Sequence, residues 1–194
     1  IIARGKPADV DAFAEAHRRR AIAWRSKGDL DRSLADASTA IALAPNLADA
    51  YLSRGVTYER KGDMARALED YTTATQKNPE LAPAWSNKAA VHFKRSEWQP
   101  AIDSYAIAVR INPKDYLSFL NRGVAFSRIK NHKSSIEDYS AAIRVKSDYA
   151  LAWSNRSIAH MLLGNLDAAL ADANEAIRLR PTFINALVHR GDVH

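Results

Sequence analysis

The sequence contains no cysteine among its 194 residues, and this absence excludes several kinds of chemistry together. Disulfides, thiolate metal sites and cysteine nucleophiles are all ruled out. The absence does not assign a compartment, because reducing and oxidising environments both tolerate a cysteine-free protein. No run approaches the roughly 18 consecutive apolar residues of a membrane-spanning helix, so we expect no membrane partner.

The sequence also lacks the motifs that carry common catalytic chemistry. It has no glycine-rich phosphate-binding loop, no serine nucleophile elbow and no isolated carboxylate pair in an apolar setting. The six histidines never form an i, i+4 helical pair with an acidic partner, so we expect no metal ion and no other cofactor. We therefore predict that the chain is not an enzyme.

Prolines recur at a fixed distance along the chain. Pro45, Pro79 and Pro113 are 34 residues apart, and Pro181 follows after 68, with Ser147 at the intervening position. A period of this size indicates a helical repeat protein. Five complete repeats and a partial sixth then occupy residues 14–47, 48–81, 82–115, 116–149, 150–183 and 184–194. Positions are numbered below from the first residue of each repeat, so the prolines stand at position 32.

The residues within each repeat follow a helical pattern. In repeat 4, for example, Ile136, Tyr139 and Ile143 are spaced three to four residues apart. Position 15 breaks this pattern with glycine in three repeats, and Ser96 stands there in repeat 3. In repeat 4 the break is expected at Asn131, one place later. We therefore predict two helices per repeat, joined by a turn.

Helix ends and close helix contacts are also marked by residue type. Proline at position 32 ends the second helix. Side chains that can cap the next helix follow it: Asn46, Asp115, Asp148 and Thr182. Position 8 is small in every repeat, which lets neighbouring helices approach closely. It is occupied by Ala21, Gly55, Ala89, Gly123, Ser157 and Gly191.

This pattern resembles the tetratricopeptide repeat family over residues 14–194. Repeat 2 reads AYLSRGVTYERKGDMARALEDYTTATQKNP and agrees with the family pattern at nearly every signature position. The resemblance implies an all-α fold, a right-handed α-solenoid of antiparallel helix pairs, in a single domain. It also implies that the first helices line a concave groove that holds peptides or partner helices. We therefore expect a protein–protein interaction scaffold or adaptor.

The two ends of the chain fall outside complete repeats. Residues 1–13 do not fit the register, so we expect them to extend the first helix or to form a tail. The chain begins without methionine and ends partway through a repeat, so we expect a fragment or a processed product. Ile184, Leu187 and Val188 in the partial repeat predict end-to-end self-association, because no second helix covers them.

Position 6 is asparagine in three successive repeats. Asn87, Asn121 and Asn155, hereafter the asparagine ladder, lie on the helix face that the resemblance places in the groove. An amide both donates and accepts, so it can bind a peptide unit whatever side chain that unit carries. The ladder is similar to the asparagine-lined groove of O-GlcNAc transferases, although it breaks at Ser53 and Arg19. We predict peptide contact; the alternative is a hydrogen bond to the adjacent helix.

Two further sets of side chains stand at groove positions. Arg60, Lys94 and Arg128 at position 13 predict a partly acidic ligand, although cations near a helix C-terminus also complement its dipole. Leu120 and Ile158 predict apolar contacts in repeats 4 and 5. Such a mixed groove suits a short linear or amphipathic peptide.

Position 7 is basic in every repeat, and position 23 is aspartate in all complete repeats except the third. Repeat 3 has Ser104 at position 23 and is also the one with a lysine, Lys88, at position 7. Arginine can bind a carboxylate through two hydrogen bonds and lysine cannot, so this joint change predicts Arg–Asp pairs between the two helices. Because the position-7 arginines are then already bound to aspartates, they do not form a free basic stripe for phosphates, and despite the net charge of +6 we expect no nucleic-acid partner.

Two functional hypotheses remain open on the sequence. In the first, the chain is a non-catalytic scaffold that binds a peptide segment of a partner protein. In the second, it is the substrate-recruiting arm of a larger enzyme, such as a glycosyltransferase, whose catalytic domain lies outside this chain. Neither hypothesis identifies the partner or the compartment.

Overall fold

Ten α-helices, two for each complete repeat, make up the described part of the chain. The computed structural model describes residues 9–181, so the partial repeat, its apolar residues and Thr182 lie outside the described residues. The helices are α1 (Val10–Ser26), α2 (Leu30–Leu43), α3 (Ala48–Arg60), α4 (Met64–Lys77), α5 (Ala82–Lys94), α6 (Trp98–Ile111), α7 (Tyr116–Arg128), α8 (His132–Val145), α9 (Ala150–Leu162) and α10 (Leu166–Leu179). None of these helices is both long and apolar enough to cross a membrane.

The chain divides into two compact units, Ile1–Val91 and His92–His194. In the first unit, α1 packs on α2, α2 on α3 and α3 on α4, and the first helices α1 and α3 also touch. In the second unit, successive helices from α6 to α10 pack in the same way, and α7 touches α9. Within each unit these helices thus bury their apolar faces against their neighbours, as expected of a repeat protein. The assignment of residues 14–194 to one domain stays a prediction.

The turn between the two helices of a repeat requires a left-handed residue at position 15. Glycine supplies it with φ of +85° at Gly28, +82° at Gly62 and +75° at Gly164. Ser96 takes a φ of 59° in repeat 3, as its position predicts. In repeat 4 the left-handed residue is Lys130, with a φ of 61°, and not Asn131. Asn131 instead caps α8, because its side chain accepts a hydrogen bond from the Ser134 N–H at 3.2 Å.

The predicted caps of the first helices are only partly correct. Asp115 caps α7, since its carboxylate accepts a hydrogen bond from the Ser118 N–H at 3.2 Å. The predictions for Asn46 and Asp148 are wrong, because α3 and α9 begin one residue later, after residues that form no side-chain cap. A shift of one residue moves a capping side chain out of reach of the free N–H groups.

Aromatic residues at position 4 join consecutive repeats through main-chain carbonyls at position 32. The Tyr51 hydroxyl donates to the Pro45 carbonyl at 3.2 Å, and the Trp85 indole donates to the Pro79 carbonyl at 2.9 Å. The Trp153 indole makes the same bond to the Ser147 carbonyl at 2.8 Å. The acceptor is a backbone atom in each case, so serine can replace proline without loss of the bond.

The predicted Arg–Asp pairs are confirmed in all four repeats that carry both residues. In each pair the guanidinium donates two hydrogen bonds, through Nε and Nη2, to the two carboxylate oxygens across the helix pair. The distances are 2.6 and 2.7 Å for Arg20–Asp36, 2.9 and 2.8 Å for Arg54–Asp70, 2.8 and 2.6 Å for Arg122–Asp138, and 2.8 and 2.7 Å for Arg156–Asp172. The aspartates are buried, so each pair ties a second helix to its first helix.

A tyrosine at position 24 lies over a glycine at position 8 in repeats 2 and 4. A Cβ atom at Gly55 would stand 2.7 Å from Cε1 of Tyr71, and one at Gly123 would stand 2.6 Å from Cε1 of Tyr139. Real side chains do not tolerate such distances, so the two rings can take these positions only over glycine, whereas repeat 3 combines Tyr105 with Ala89. The close approach fixes the two tyrosine rings between the helices of their repeats.

Candidate peptide-binding site

The first helices of the first unit line a pocket of about 240 Å³. Its lining residues all stand at positions 2, 5, 6, 9 or 12 of their repeats. Helix geometry places these positions roughly on one face of the first helix, the face that we predict to line the groove. Ile22, Leu52 and Val56 contribute apolar surface, and Asn87 contributes its amide. The pocket therefore combines apolar area with a few polar groups, as small peptide-binding sites do.

A partly buried guanidinium forms one wall of this pocket. Arg25 Nη1 donates to the Ser53 carbonyl at 2.9 Å and lies 3.4 Å from the Ser53 hydroxyl oxygen. Burial, together with the nearby charge of Arg60, lowers the pKa of Arg25 below its ordinary value. Position 6 of repeat 2 is Ser53 and not asparagine. The polar group that lies over this position is the Arg25 guanidinium from repeat 1.

In the second unit, residues of α7, α8 and α9 and of the turn between α7 and α8 line a separate pocket of about 340 Å³. Val124 and Ile158 supply its apolar surface, and Asn155 supplies an amide. The remaining lining residues are Ser127, Arg128, Lys130 and Tyr139. Both compact units thus present a pocket with an asparagine of the ladder in its wall.

The amides of the asparagine ladder have no protein partner among the described residues. Asn87, Asn121 and Asn155 are half-buried, and none of their side chains hydrogen-bonds to a residue of 9–181. The alternative role, a bond to the adjacent helix, is therefore not seen there. Asn87 and Asn155 each line one of the two pockets, whereas Asn121 lies on α7 and lines neither.

The predicted basic residues at position 13 have different surroundings. Arg60 Nη1 donates to the Arg25 carbonyl at 3.0 Å, in the last turn of α1, so its charge complements a helix C-terminus. Lys94 is exposed at the end of α5. Arg128 is exposed as well, lines the second pocket and has its guanidinium carbon 5.8 Å from the ring centre of Trp98.

The two predicted apolar contacts also separate. Ile158 is half-buried and lines the second pocket. Leu120 is only 3% exposed and packs in the core with Tyr139 and Ile143 of α8. Position 5 of α7 is turned towards the second helix of the repeat, so Leu120 is removed from the proposed contact set.

Some residues with a place in these pockets are missed by the sequence analysis. Tyr139 is named there only for its helical spacing in repeat 4, and Arg25 is not singled out. The Tyr71 hydroxyl donates to Glu59 Oε2 at 2.7 Å, although the two residues are twelve apart in sequence. A comparison of positions 12 and 24 between repeats could have revealed this. Position 24 is tyrosine in both repeat 2 and repeat 4, whereas position 12 changes from Glu59 to Ser127.

Neither pocket is built from metal-binding side chains. Within residues 9–181, no group of three or more histidines and carboxylates is arranged to hold a metal ion. His92, one of the position-11 rings, is paired through Nδ1 with Glu97 at the turn between α5 and α6. The chemistry that the pockets offer is hydrogen bonding, charge and apolar contact.

Comparison with protein families gives matches to models described as tetratricopeptide repeat. One model matches residues 150–183, and another matches residues 25–81 and 52–116. A search of curated proteins gave no match.

Comparison with solved structures gives close matches in fold at low sequence identity. YrrB, described as a TPR protein with an unusual peptide-binding site, has a TM-score of 0.81 and 21% identity over 94% of this chain and 99% of its own. The MamA protein has a TM-score of 0.79 and 22% identity over 87% of this chain and 92% of its own. MamA 41-end from Desulfovibrio magneticus RS-1 has a TM-score of 0.77 and 16% identity over 88% and 97%. These similarities show the fold, and the predicted all-α solenoid of helix pairs is confirmed.

Proposed function

Because the chain belongs to the tetratricopeptide repeat family, we propose that it is a non-catalytic scaffold or adaptor that binds a peptide segment of a partner protein along its first helices. The fold itself supports a protein–protein interaction scaffold. The observation that carries the finer proposal is the state of the asparagine ladder, whose three amides are half-buried and make no hydrogen bond to any described residue. Such amides suit the main chain of a bound peptide.

The spacing of the helices favours an extended ligand. Neighbouring packed helices lie about 8–10 Å apart, and an extended chain advances about 3.3 Å per residue. Within the second unit, the amides of Asn121 on α7 and Asn155 on α9 would therefore meet roughly every third residue of the ligand. Hydrogen bonds to the ligand backbone give affinity for any sequence, and the two pockets then select side chains.

The pockets limit what the selected side chains can be. The first-unit pocket includes Arg18, Arg25 and Asp49, so its charges are of both signs. The second-unit pocket combines Arg128 and Lys130 with apolar surface. A ligand with apolar side chains and at least one acidic side chain matches both pockets. The description of YrrB as peptide-binding is compatible with this proposal, which rests on the residues of the present chain.

A peptide-display experiment tests the proposal even though the partner protein is not identified. Twelve-residue peptides displayed on phage are selected on the immobilised chain, and enriched sequences are synthesised for calorimetry. The triple variant Asn87→Ala, Asn121→Ala, Asn155→Ala should bind them at least tenfold more weakly, because three hydrogen bonds of about 0.5–1.5 kcal/mol each are lost.

The matched control removes polar side chains from second helices. Gln76→Ala with Asn174→Ala changes two exposed side chains of α4 and α10 and should leave affinity unchanged. Circular dichroism melts establish that both variants fold like the parent chain. Equal affinity of the parent and the triple variant would rule out the asparagine ladder as the contact surface.

The second hypothesis, an arm of a larger enzyme, uses the same peptide contact. It differs from the first only in what the partner segment is delivered to. The reading frame beyond the present chain distinguishes them, since a catalytic domain encoded there supports the recruiting arm.

A further inference from the structure

Repeat 2 contains a buried tyrosine that is paired with a carboxylate of its own chain. The Tyr71 hydroxyl, between α3 and α4, donates to Glu59 Oε2 at 2.7 Å. Burial and the Glu59 carboxylate raise the pKa of Tyr71, while the positive charge of Arg25 acts in the opposite direction. A phenol, a guanidinium and a carboxylate are therefore assembled at this place.

Repeat 4 has the same tyrosine with a different neighbour. Tyr139 occupies the position of Tyr71, and Ser127 occupies the position of Glu59. Tyr139 is only 2% exposed, and its ring edge is fixed against Gly123. Its hydroxyl makes no hydrogen bond to any residue within 9–181, and both Tyr139 and Ser127 line the second-unit pocket of about 340 Å³. The Tyr139 hydroxyl faces this open pocket without a protein acceptor among the described residues, so it is available to donate a hydrogen bond to a ligand there.

The charge of the pocket indicates what it accepts. Arg128 and Lys130 line it together with Tyr139 and Asn155, and none of the described lining residues is acidic. Burial and the neighbouring Asp138 carboxylate raise the pKa of Tyr139, and the charge of Arg128 works against that rise, as the charge of Arg25 does at Tyr71. The phenol and the guanidinium of repeat 2 thus recur in repeat 4, whereas no residue of repeat 4 replaces Glu59 as the acceptor of the tyrosine hydroxyl.

We propose that this pocket binds the carboxylate of a glutamate or aspartate side chain carried by the peptide ligand. Tyr139 donates a hydrogen bond to the carboxylate, as Tyr71 does to Glu59 in repeat 2. Arg128 and Lys130 balance its charge, and Asn155 offers an amide donor beside it. This proposal rests on the proposed peptide binding and adds a chemical requirement for one ligand side chain.

A single-residue probe tests the pocket separately from peptide binding. N-acetyl-glutamate N-methylamide is titrated into the full chain, and amide shifts of Arg128, Lys130 and Asn155 are followed by ¹H–¹⁵N NMR. The glutamine analogue, in which only the charge is removed, should bind at least tenfold more weakly because hydrogen bonds to charged acceptors are the stronger ones. N-acetylglycine and inorganic phosphate are titrated in parallel.

Two reciprocal substitutions at position 12, and two at the position-24 tyrosines, test the comparison between repeats 2 and 4. Ser127→Glu places a carboxylate of the chain next to Tyr139, as Glu59 lies next to Tyr71, and should abolish the response to the probe. Glu59→Ser removes the carboxylate from Tyr71 and should create a second response in repeat 2. Tyr139→Phe keeps the ring on Gly123 and should weaken the probe at least fivefold, whereas Tyr71→Phe should leave the repeat 4 response unchanged.

Every outcome bears on the proposal. Amide shifts that the glutamate probe causes, that the glutamine analogue does not cause and that disappear in the Ser127→Glu variant would establish the site. Equal affinity for the glutamine analogue, or no shift up to 50 mM probe, would overturn it. Tighter binding of N-acetylglycine or phosphate would also overturn it, in favour of a terminal carboxylate or a phosphate group. If selected peptides bind while the probe fails, the carboxylate pocket is wrong and the proposed function stands.

Discussion

Arg122 holds Asp138 through two hydrogen bonds of 2.8 and 2.6 Å, and this contact joins α7 to α8 within repeat 4. The Asp138 carboxylate is almost completely buried, so it depends on the guanidinium for compensation of its charge. Repeat 3 has Lys88 and Ser104 at the same two positions and dispenses with the pair altogether. A complete repeat therefore carries either both residues of the Arg–Asp pair or neither of them. We expect that a change at one of the two positions requires a change at the other.

We expect Arg122→Lys to lower the free energy of unfolding by about 1–3 kcal/mol, because lysine leaves part of the buried carboxylate without a donor. Adding Asp138→Ser reproduces the residues of repeat 3 and should recover much of the loss. Urea unfolding of the two single variants and the double variant measures the coupling. Strictly additive effects would show that the residues do not act as a pair.

Gly55→Ala should destabilise repeat 2, because the new methyl group would stand 2.7 Å from Cε1 of Tyr71. The expected cost is about 1–3 kcal/mol, typical of overpacking in a well-packed core. In a Tyr71→Ala background the same substitution should cost nothing, as repeat 1 already combines Ala21 with Ala37 at these positions. Thermal melts of the four proteins would test this, and a similar loss in both backgrounds would argue against the steric explanation.

The Arg20–Asp36 pair predicts a loss of stability in acid. The hydrogen bond from Arg20, aided by His17, lowers the pKa of Asp36 from 3.8 to about 2. The unfolded chain therefore binds a proton at higher pH than the folded chain does. The stabilisation from Asp36 is complete above about pH 4 and disappears as the pH falls towards 2.

Asp36→Asn should reduce the difference between the melting temperatures at pH 5 and pH 2.5. The difference will not vanish, because Arg18 and Arg19 also lower the pKa of Glu15 from 4.5 to about 2. A variant whose pH dependence equals that of the parent chain would show that Asp36 does not titrate in this window. Asp167→Asn, at an exposed carboxylate in the first turn of α10, is the matched control.

Ser147→Pro should stabilise the protein by about 0.4–1 kcal/mol through a less flexible unfolded chain. The preceding residue, Lys146, has φ −141° and ψ 88°, close to the −138° and 94° of Asn78 before Pro79. The Ser147 N–H donates to no backbone carbonyl among the described residues, so proline removes no such bond. A lower melting temperature for the variant would contradict this expectation.

The fold and the Arg–Asp pairs could be predicted because they depend on residues that recur at a fixed spacing. A buried ion pair can be recognised in the sequence because its two residues change together between repeats, as Lys88 and Ser104 do in repeat 3. The burial of Leu120 could not be predicted in this way. Position 5 carries a serine in repeats 3 and 5, so the pattern does not reveal whether this face of α7 is turned to the groove or to α8.

The pocket at Tyr139 was also beyond the sequence analysis. Tyr139 fits the helical spacing of repeat 4 as an apolar residue would, and its ring does pack against Gly123. Only the structure shows that the hydroxyl of Tyr71 has a carboxylate partner and that the hydroxyl of Tyr139 lines a pocket. The ring of a tyrosine can pack in the core while its hydroxyl lines a pocket. A pattern of hydrophobic positions in the sequence does not distinguish these two roles.

The bond from the Trp153 indole to the Ser147 carbonyl limits how these repeats can diverge. At position 32 a mutation changes the side chain but not the atom that accepts the bond, so many residues are admissible. At position 4 the donor belongs to the side chain, and only a few residue types combine an aromatic ring with an N–H or O–H group. Divergent copies can therefore keep the bond after the proline has been lost, as Ser147 and Trp153 do, whereas Phe119 after Pro113 keeps the ring and has no donor.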